Sequence, residues 1–216
     1  MGMANIENIT LAVGDTADAE RFYAAFFAEG APVRVRDGGA PSEGFRGFTL
    51  ALTVAQPADV DLFVEAALGA GAVALKPAAK SLWGYGAVVQ APDGAIWKVA
   101  TSAKKNTVPA SRTVQETVLL LGVEDVVASK RFYVERGLAV GKSFGRTYVE
   151  FATEGSAVKL ALYRRRALAK DLGVAPEGSG SHRVVIGGSG GDSTDFTAFT
   201  DPDGFEWEAA VAASAS

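Results

Sequence analysis

The sequence predicts an α+β fold: paired βαβββ modules in two tandem halves, forming curved mixed or antiparallel sheets with helices on the outer face. Three observations carry this. Arg21-Phe22-Tyr23 recurs as Arg131-Phe132-Tyr133. Pro92-Asp93-Gly94 with Trp97 recurs as Pro202-Asp203-Gly204 with Trp207. Both recurrences keep one spacing, the mark of an internal duplication. With 216 residues the chain suffices for two units of roughly 100 residues each. They are placed at 4–103 and 113–212, with 104–112 as the linker.

The elements follow in order. Ile9, Leu11 and Val13 alternate with Asn8, Thr10 and Ala12, the period of a strand with one apolar face. Asp15 caps a helix whose Ala19, Phe22, Tyr23, Phe26 and Phe27 form one stripe, with Gly30 at its end. A short strand over 32–37, a loop over 38–44 and a long strand over 48–54 come next. Pro57 opens a second helix, with Val60, Phe63, Val64, Ala67 and Leu68 on one side. Strands are expected at 73–75, 86–90 and 96–100. The last two are joined by Pro92-Asp93-Gly94, where proline presets φ and glycine permits φ > 0. The polar 104–111 segment, with Pro109, reads as the connection between halves.

The second half opens alike. A strand over 118–123 leads to Asp125 as cap and a helix carrying Phe132 and Tyr133. Strands at 138–142, 146–151 and 158–163 follow, then one helical turn at 167–172. Gly178-Ser179-Gly180-Ser181 reads as a flexible loop. A strand at 183–186, a helix-free connection over 187–195 and two strands around the second Pro-Asp-Gly turn, 196–200 and 206–211, close the half. The 212–216 tail is expected to fray. The first half is thus short of strands between 37 and 48, and the second lacks a helix matching 57–71. Such units pair into sheets covered by helices on one face and open on the other.

Composition excludes several functions. A formal net charge of −4 and an isoelectric point near 5.1 oppose the basic face that nucleic acid requires. Arg164-Arg165-Arg166 reads as a strand end or helix start. With no cysteine, disulfides, thiolate metal sites and cysteine nucleophiles are absent, which suits a reducing cytoplasm. No apolar run approaches the ~20 residues of a membrane span, and 1–8 has neither the basic nor the apolar part of a secretion leader. Gly187-Gly188-Ser189-Gly190-Gly191 introduces no apolar helix and so is no phosphate loop. A Ser-His-Asp arrangement would have to recruit His182 without a nucleophile elbow. The expected partner is a small molecule, not nucleic acid or membrane, bound by a cytoplasmic protein. That protein is a monomer completed by duplication, or a homodimer.

The order of strand, Asp-capped Phe-Tyr helix and Pro-Asp-Gly turn before a Trp-bearing strand resembles the vicinal oxygen chelate superfamily. This is the glyoxalase, bleomycin-resistance and extradiol-dioxygenase group. The resemblance covers nearly the whole chain, once per half, and Leu82-Trp83-Gly84-Tyr85-Gly86 is similar to segments of glyoxalase-like members. It implies a U-shaped sheet cavity holding a small molecule. In metal-dependent members it implies a histidine on the first strand and a glutamate on the last, just after the turn, around a divalent cation.

Here Asn8 and Val118 stand at the first-strand positions, and Lys98 and Glu208 at the last-strand positions. An ammonium at Lys98 repels a divalent cation; it reads as a partly exposed strand lysine or as an anchor for an acidic or carbonyl-bearing ligand. His182 precedes a strand where the family can carry a further histidine ligand. With Glu208, and Glu150 recruited, it would still form a sparse set. Trp97 and Trp207 point away from the ligand positions, under the helices. Trp83, Tyr85 and Tyr148 lie outside helical stripes and read as pocket residues or as packing.

The candidate ligand-binding set is therefore Asn8, Trp83, Tyr85, Lys98, Tyr148, His182 and Glu208, with no catalytic residue assigned. No cofactor is expected; the alternative is one divalent metal. The leading function is binding of a small, partly hydrophobic molecule without a catalytic metal. The alternatives are a metal-dependent lyase or dioxygenase-like enzyme using His182 and Glu208, and a degenerate structural or interaction module.

Overall fold

An aspartate after an alternating strand starts each half. In the computed structural model, which describes residues 3–28, 30–152, 155–190 and 196–210, β1 (Met3–Val13) runs to Asp15, whose carboxylate accepts the Asp18 N–H at 2.9 Å and starts α1 (Thr16–Phe27). Next come β2 (Val33–Asp37), the short β3 (Ser42–Gly44) and β4 (Phe48–Thr53). Pro57 sits in the first turn of α2 (Pro57–Gly69), which leads to β5 (Val73–Ser81), β6 (Gly84–Gln90) and β7 (Ile96–Thr101). The linker is pinned by α2: Gln56 accepts the Thr107 N–H and donates to the Val108 carbonyl, both at 2.8 Å.

Then β8 (Glu116–Val123) reaches Asp125, which accepts the Val127 and Ala128 N–H groups and caps α3 (Val126–Glu135). The chain continues through β9 (Ala139–Phe144), β10 (Tyr148–Ala152), β11 (Lys159–Arg164) and α4 (Arg165–Leu172). It closes with β12 (Gly178–Gly180), β13 (Val184–Gly190), β14 (Phe199–Thr200) and β15 (Glu206–Ala209). The expected fraying of 212–216, residue 211 and the 191–195 part of the connection lie outside the described residues.

Strand pairing crosses the halves. The larger sheet has the order β5-β6-β7-β4-β8-β11-β10-β9 and the smaller β14-β15-β13-β1-β2, with β12-β3 as a separate ribbon. The repeats on either side of the 104–112 linker are therefore not separately packed bodies. Antiparallel β4–β8 and β1–β13 contacts join them. Two complete βαβββ units, β4-α2-β5-β6-β7 and β8-α3-β9-β10-β11, build the larger sheet, and the trimmed outer units build the smaller one.

The duplicated motifs touch one another. Tyr23 of α1 donates its phenol to Asp93 of the first Pro-Asp-Gly turn at 2.7 Å, and Tyr133 of α3 donates to Asp201, beside the second turn, at 2.6 Å. Each tyrosine also packs against the tryptophan of its half, Trp97 or Trp207, with ring centroids 5.7 and 5.6 Å apart. Burial first, then the neighbouring aspartate, pushes both phenols well above their ordinary value, so they remain donors.

Three local expectations are corrected. Helices α1, α2 and α3 share one apolar cluster with Leu119, Leu121 and Trp97, but α4 lies on the opposite face. There Leu168, Ala169 and Leu172 are fully buried with Val88, Ile96 and Phe45, and Leu120 packs against them. So the open face of the larger sheet is partly filled, and 165–172 is a two-turn helix. Second, 178–181 is not a free loop: Gly178 and Gly180 let β12 approach β3 so closely that a Cβ would stand 2.1 Å from the Phe45 oxygen and 2.0 Å from the Pro41 oxygen. Third, Gly187 to Gly190 continue β13 rather than leaving it.

Candidate functional site

The strand register assembles the positions expected from the resemblance into two rows, each from both halves. On the larger sheet Lys98 of β7 is opposite Ala51 of β4, and Ala51 is opposite Val118 of β8. On the smaller sheet Glu208 of β15 is opposite Gly187 of β13, and Gly187 is opposite Asn8 of β1. Lys98 thus shares a row with Val118 two strands away, and Glu208 shares one with Asn8. Both rows face away from the helix-packed core, because Trp97 and Trp207 alternate with Lys98 and Glu208 and are buried under the helices.

Neither donor set fits a divalent cation. The first row offers an ammonium and two hydrocarbon side chains. The second offers one carboxylate, one carboxamide and a position without a side chain, and its carboxylate is already paired: Arg36 Nη1 lies 3.4 Å from Glu208 Oε2. Among the described residues, no three His, Asp or Glu side chains converge as a metal site. His182 does not complete the second row, since it precedes Gly187 by five residues, about 16 Å of extended chain.

His182 instead joins the two Pro-Asp-Gly turns. Its Nδ1 lies 2.5 Å from the Arg46 carbonyl oxygen, its Nε2 lies 3.0 Å from the Asp203 carbonyl oxygen, and its ring stacks on Phe205 at 4.0 Å. The Arg46 guanidinium in turn donates to the Asp93 carbonyl at 2.5 Å. One histidine and one arginine therefore link the turn of each half.

Lys98 faces a cavity of about 510 Å³, walled by Lys76 and Lys80 of β5, Trp83 at the hairpin tip, Val88 of β6 and Asp171 of α4. Three ammonium groups and one carboxylate surround it, an excess of positive charge. Lys98 Nζ donates to Asp171 Oδ2 at 2.5 Å, both side chains being about one-third exposed. Lys76 Nζ donates to the Lys170 and Asp171 carbonyls and so caps the end of α4. Trp83 is 84% exposed, in contrast to Trp97 and Trp207, so its indole is free to cover a ligand.

Tyr85 is a lining residue of the same cavity, and Tyr148 lies apart from it. The Tyr85 side chain turns to the helix face and donates to Asp61 of α2 at 2.8 Å, a bond that raises its phenol above the ordinary value. Tyr148 is on the open face of β10, on the far side of β4, β8 and β11 from Lys98. It donates to Glu150 at 2.9 Å, and burial together with that carboxylate pushes its phenol well up. Glu150 also pairs with Lys142. Sequence reasoning missed Asp171, Lys76 and Arg36. The available signals were the i, i+4 pair Leu168 and Leu172 before Gly173, and the alternation of Arg34 and Arg36 with Val33 and Val35.

A scan against models of protein families and a search of curated proteins both find no match. Solved structures do match. Glyoxalase I from Zea mays is 14% identical, with 94% of this chain and 90% of that chain covered and a TM-score of 0.57. A point variant of the same enzyme gives 16% identity, the same coverage and a TM-score of 0.57. A putative dioxygenase from Bacillus subtilis is 12% identical, with 86% of this chain and 70% of that chain covered and a TM-score of 0.53. Among the described residues no helix is long and apolar enough to cross a membrane. With its paired βαβββ modules and sheets that join the two halves, the chain has the fold of glyoxalase I.

Proposed function

We propose that this protein is a non-catalytic binder of a small, partly hydrophobic acidic molecule, held on the open face of the larger sheet with its acid group against Lys98. The observation that carries the reading is the ammonium of Lys98 at a position where metal-dependent members of the fold use a carboxylate, facing a cavity of about 510 Å³. That volume suits a small ligand. Lys76 and Lys80 add attraction for an anion, and the exposed indole of Trp83 offers apolar cover. The ligand's acid group competes with Asp171 for Lys98.

Trp83 supplies the test, because the other two tryptophans are buried. Aromatic carboxylates such as benzoate and indole-3-acetate are expected to protect Trp83 from iodide quenching and to raise the melting temperature, as any ligand of the native state does. Lys98→Met is expected to remove both effects. Equal binding of the matching carboxamides would overturn the acidic assignment. No protection and no thermal shift from any member of the panel would overturn the binding reading itself.

A further inference from the structure

We infer that His182 is an imidazolium in the folded chain and serves as a proton-dependent clamp between the two sheets. It stands just before β13 of the smaller sheet, and its two acceptors lead into different sheets. Arg46 precedes β4 of the larger sheet, and Asp203 precedes β15 of the smaller one. Both acceptors are backbone carbonyl oxygens, which have no proton to give. A neutral imidazole carries one N–H, so either tautomer would aim a bare ring nitrogen at a carbonyl lone pair. The imidazolium alone donates at both ends, from Nδ1 to Arg46 at 2.5 Å and from Nε2 to Asp203 at 3.0 Å. Its charge strengthens both bonds.

The surroundings fix the ring without replacing the proton. Phe205 stacks on it, and the next residue, Arg183, takes φ 54°, a left-handed conformation that side chains other than glycine's rarely adopt. Three guanidinium groups approach, each held by a backbone carbonyl: Arg46 by Asp93, Arg165 of α4 by Phe45 and Pro176, and Arg183 by Ala40. The Asp203 carboxylate accepts the Glu124 N–H and the Ser129 hydroxyl, both at 2.8 Å. Glu124 lines the space on one side of the clamp, and Glu206 and Arg36 line the space on the other. Among the described residues no carboxylate bonds to the ring, so the two carbonyls are what favour its proton.

The clamp has room to open. Cavities of about 260 and 650 Å³ both border His182, Gly180, Ser181 and Asp203. When the proton leaves, one end of the bridge becomes a repulsion between lone pairs, and the ring can turn into open space. The folded chain thus holds this proton more tightly than the unfolded chain. The clamp's contribution to stability is present at low pH and is lost as pH rises.

Because His182 is the only histidine, its ring nitrogens can be followed by NMR in the full chain, folded and unfolded in urea, from about pH 5 to about pH 9. Both nitrogens are expected to stay protonated to higher pH in the folded chain. The melting temperature of the parent is expected to exceed that of His182→Gln most at the acid end, with the gap shrinking as pH rises. Loss of the ring proton at the same pH in both states, or at lower pH in the folded one, would overturn the inference. So would a gap that stays constant or widens with pH. The NMR comparison uses the parent chain alone and decides the matter even if His182→Gln does not fold.

Discussion

On the larger sheet, Lys98, Ala51 and Val118 face each other across β7, β4 and β8, and α4 packs beside them with Leu168, Ala169 and Leu172 buried. On the smaller sheet, the same positions hold Glu208, Gly187 and Asn8, and no described helix covers them. One face was filled with hydrocarbon and given a cationic centre; the other stayed open, with the Arg36–Glu208 pair across it. Yet both copies keep a buried tyrosine on an aspartate in or beside the turn. Packing between helix, turn and last strand tolerates little change. The open faces are under no such constraint, so that is where the two copies diverged.

The contrast breaks if α4 only rests on the larger sheet. Leu168→Ala removes a fully buried side chain and is expected to lower the unfolding free energy by about 2–5 kcal/mol. Urea unfolding measures it. A loss well below 1 kcal/mol would mean that the face is covered without being packed, and that both sheets are open in the same sense.

The two tyrosine–aspartate contacts sharpen the comparison next. Tyr133→Phe removes the donor to Asp201 Oδ2 and the acceptor of Trp207 Nε1, both buried, and should cost about 1–3 kcal/mol. Tyr23→Phe should cost less, because Asp93 is less buried than Asp201. The second contact also has a pH signature. Burial raises the Asp201 carboxyl above its ordinary value of 3.8, against the hydrogen bonds that lower it. The folded chain therefore holds that proton to higher pH than the unfolded chain. The group's contribution to stability is complete below 3.8 and is lost as pH rises through the folded value. Stability measured against Asp201→Asn should fall across that window and be flat on either side. A difference that instead grows with pH would show that the carboxylate, not the acid, is the favoured buried form.

These contrasts also explain what could be read from the residues alone. The Phe-Tyr and Pro-Asp-Gly echoes were legible because helix and turn are joined in each half, by Tyr23–Asp93 in the first and by Ser129–Asp203, with Tyr133–Asp201 beside the turn, in the second. The rows were legible because each position is counted from a local landmark, Asp15, Asp125 or a turn. Their partners were not. Arg36 and Glu208 are 172 positions apart, Lys98 and Asp171 73 apart, and both meetings depend on which strands of the two halves pair. Helix α4 was obscured by three arginines at its start, although Arg165 is used structurally, donating to the Phe45 and Pro176 carbonyls. The glycines of 178–180 and 187–190 signalled close approach, which looks the same as flexibility until the neighbouring backbone is known.

The smallest expected effects belong to the two ion pairs, and they separate the faces most cleanly. Lys98–Asp171 and Arg36–Glu208 are both partly exposed, so Asp171→Asn and Arg36→Ala should each change stability by less than about 1 kcal/mol, with the difference fading in salt. Their electrical consequences differ. Asp171→Asn leaves three lysines around the Trp83 cavity without their carboxylate, so iodide should gather there and quench Trp83 more strongly than in the parent chain. Arg36→Ala alters charge on the other sheet and should leave that quenching unchanged. A neutral quencher such as acrylamide should show no such contrast, since it reports exposure rather than charge. If acrylamide quenching rises with Asp171→Asn as much as iodide quenching does, the carboxylate was holding α4 closed over the cavity, and the charge around Lys98 is secondary to the position of the helix.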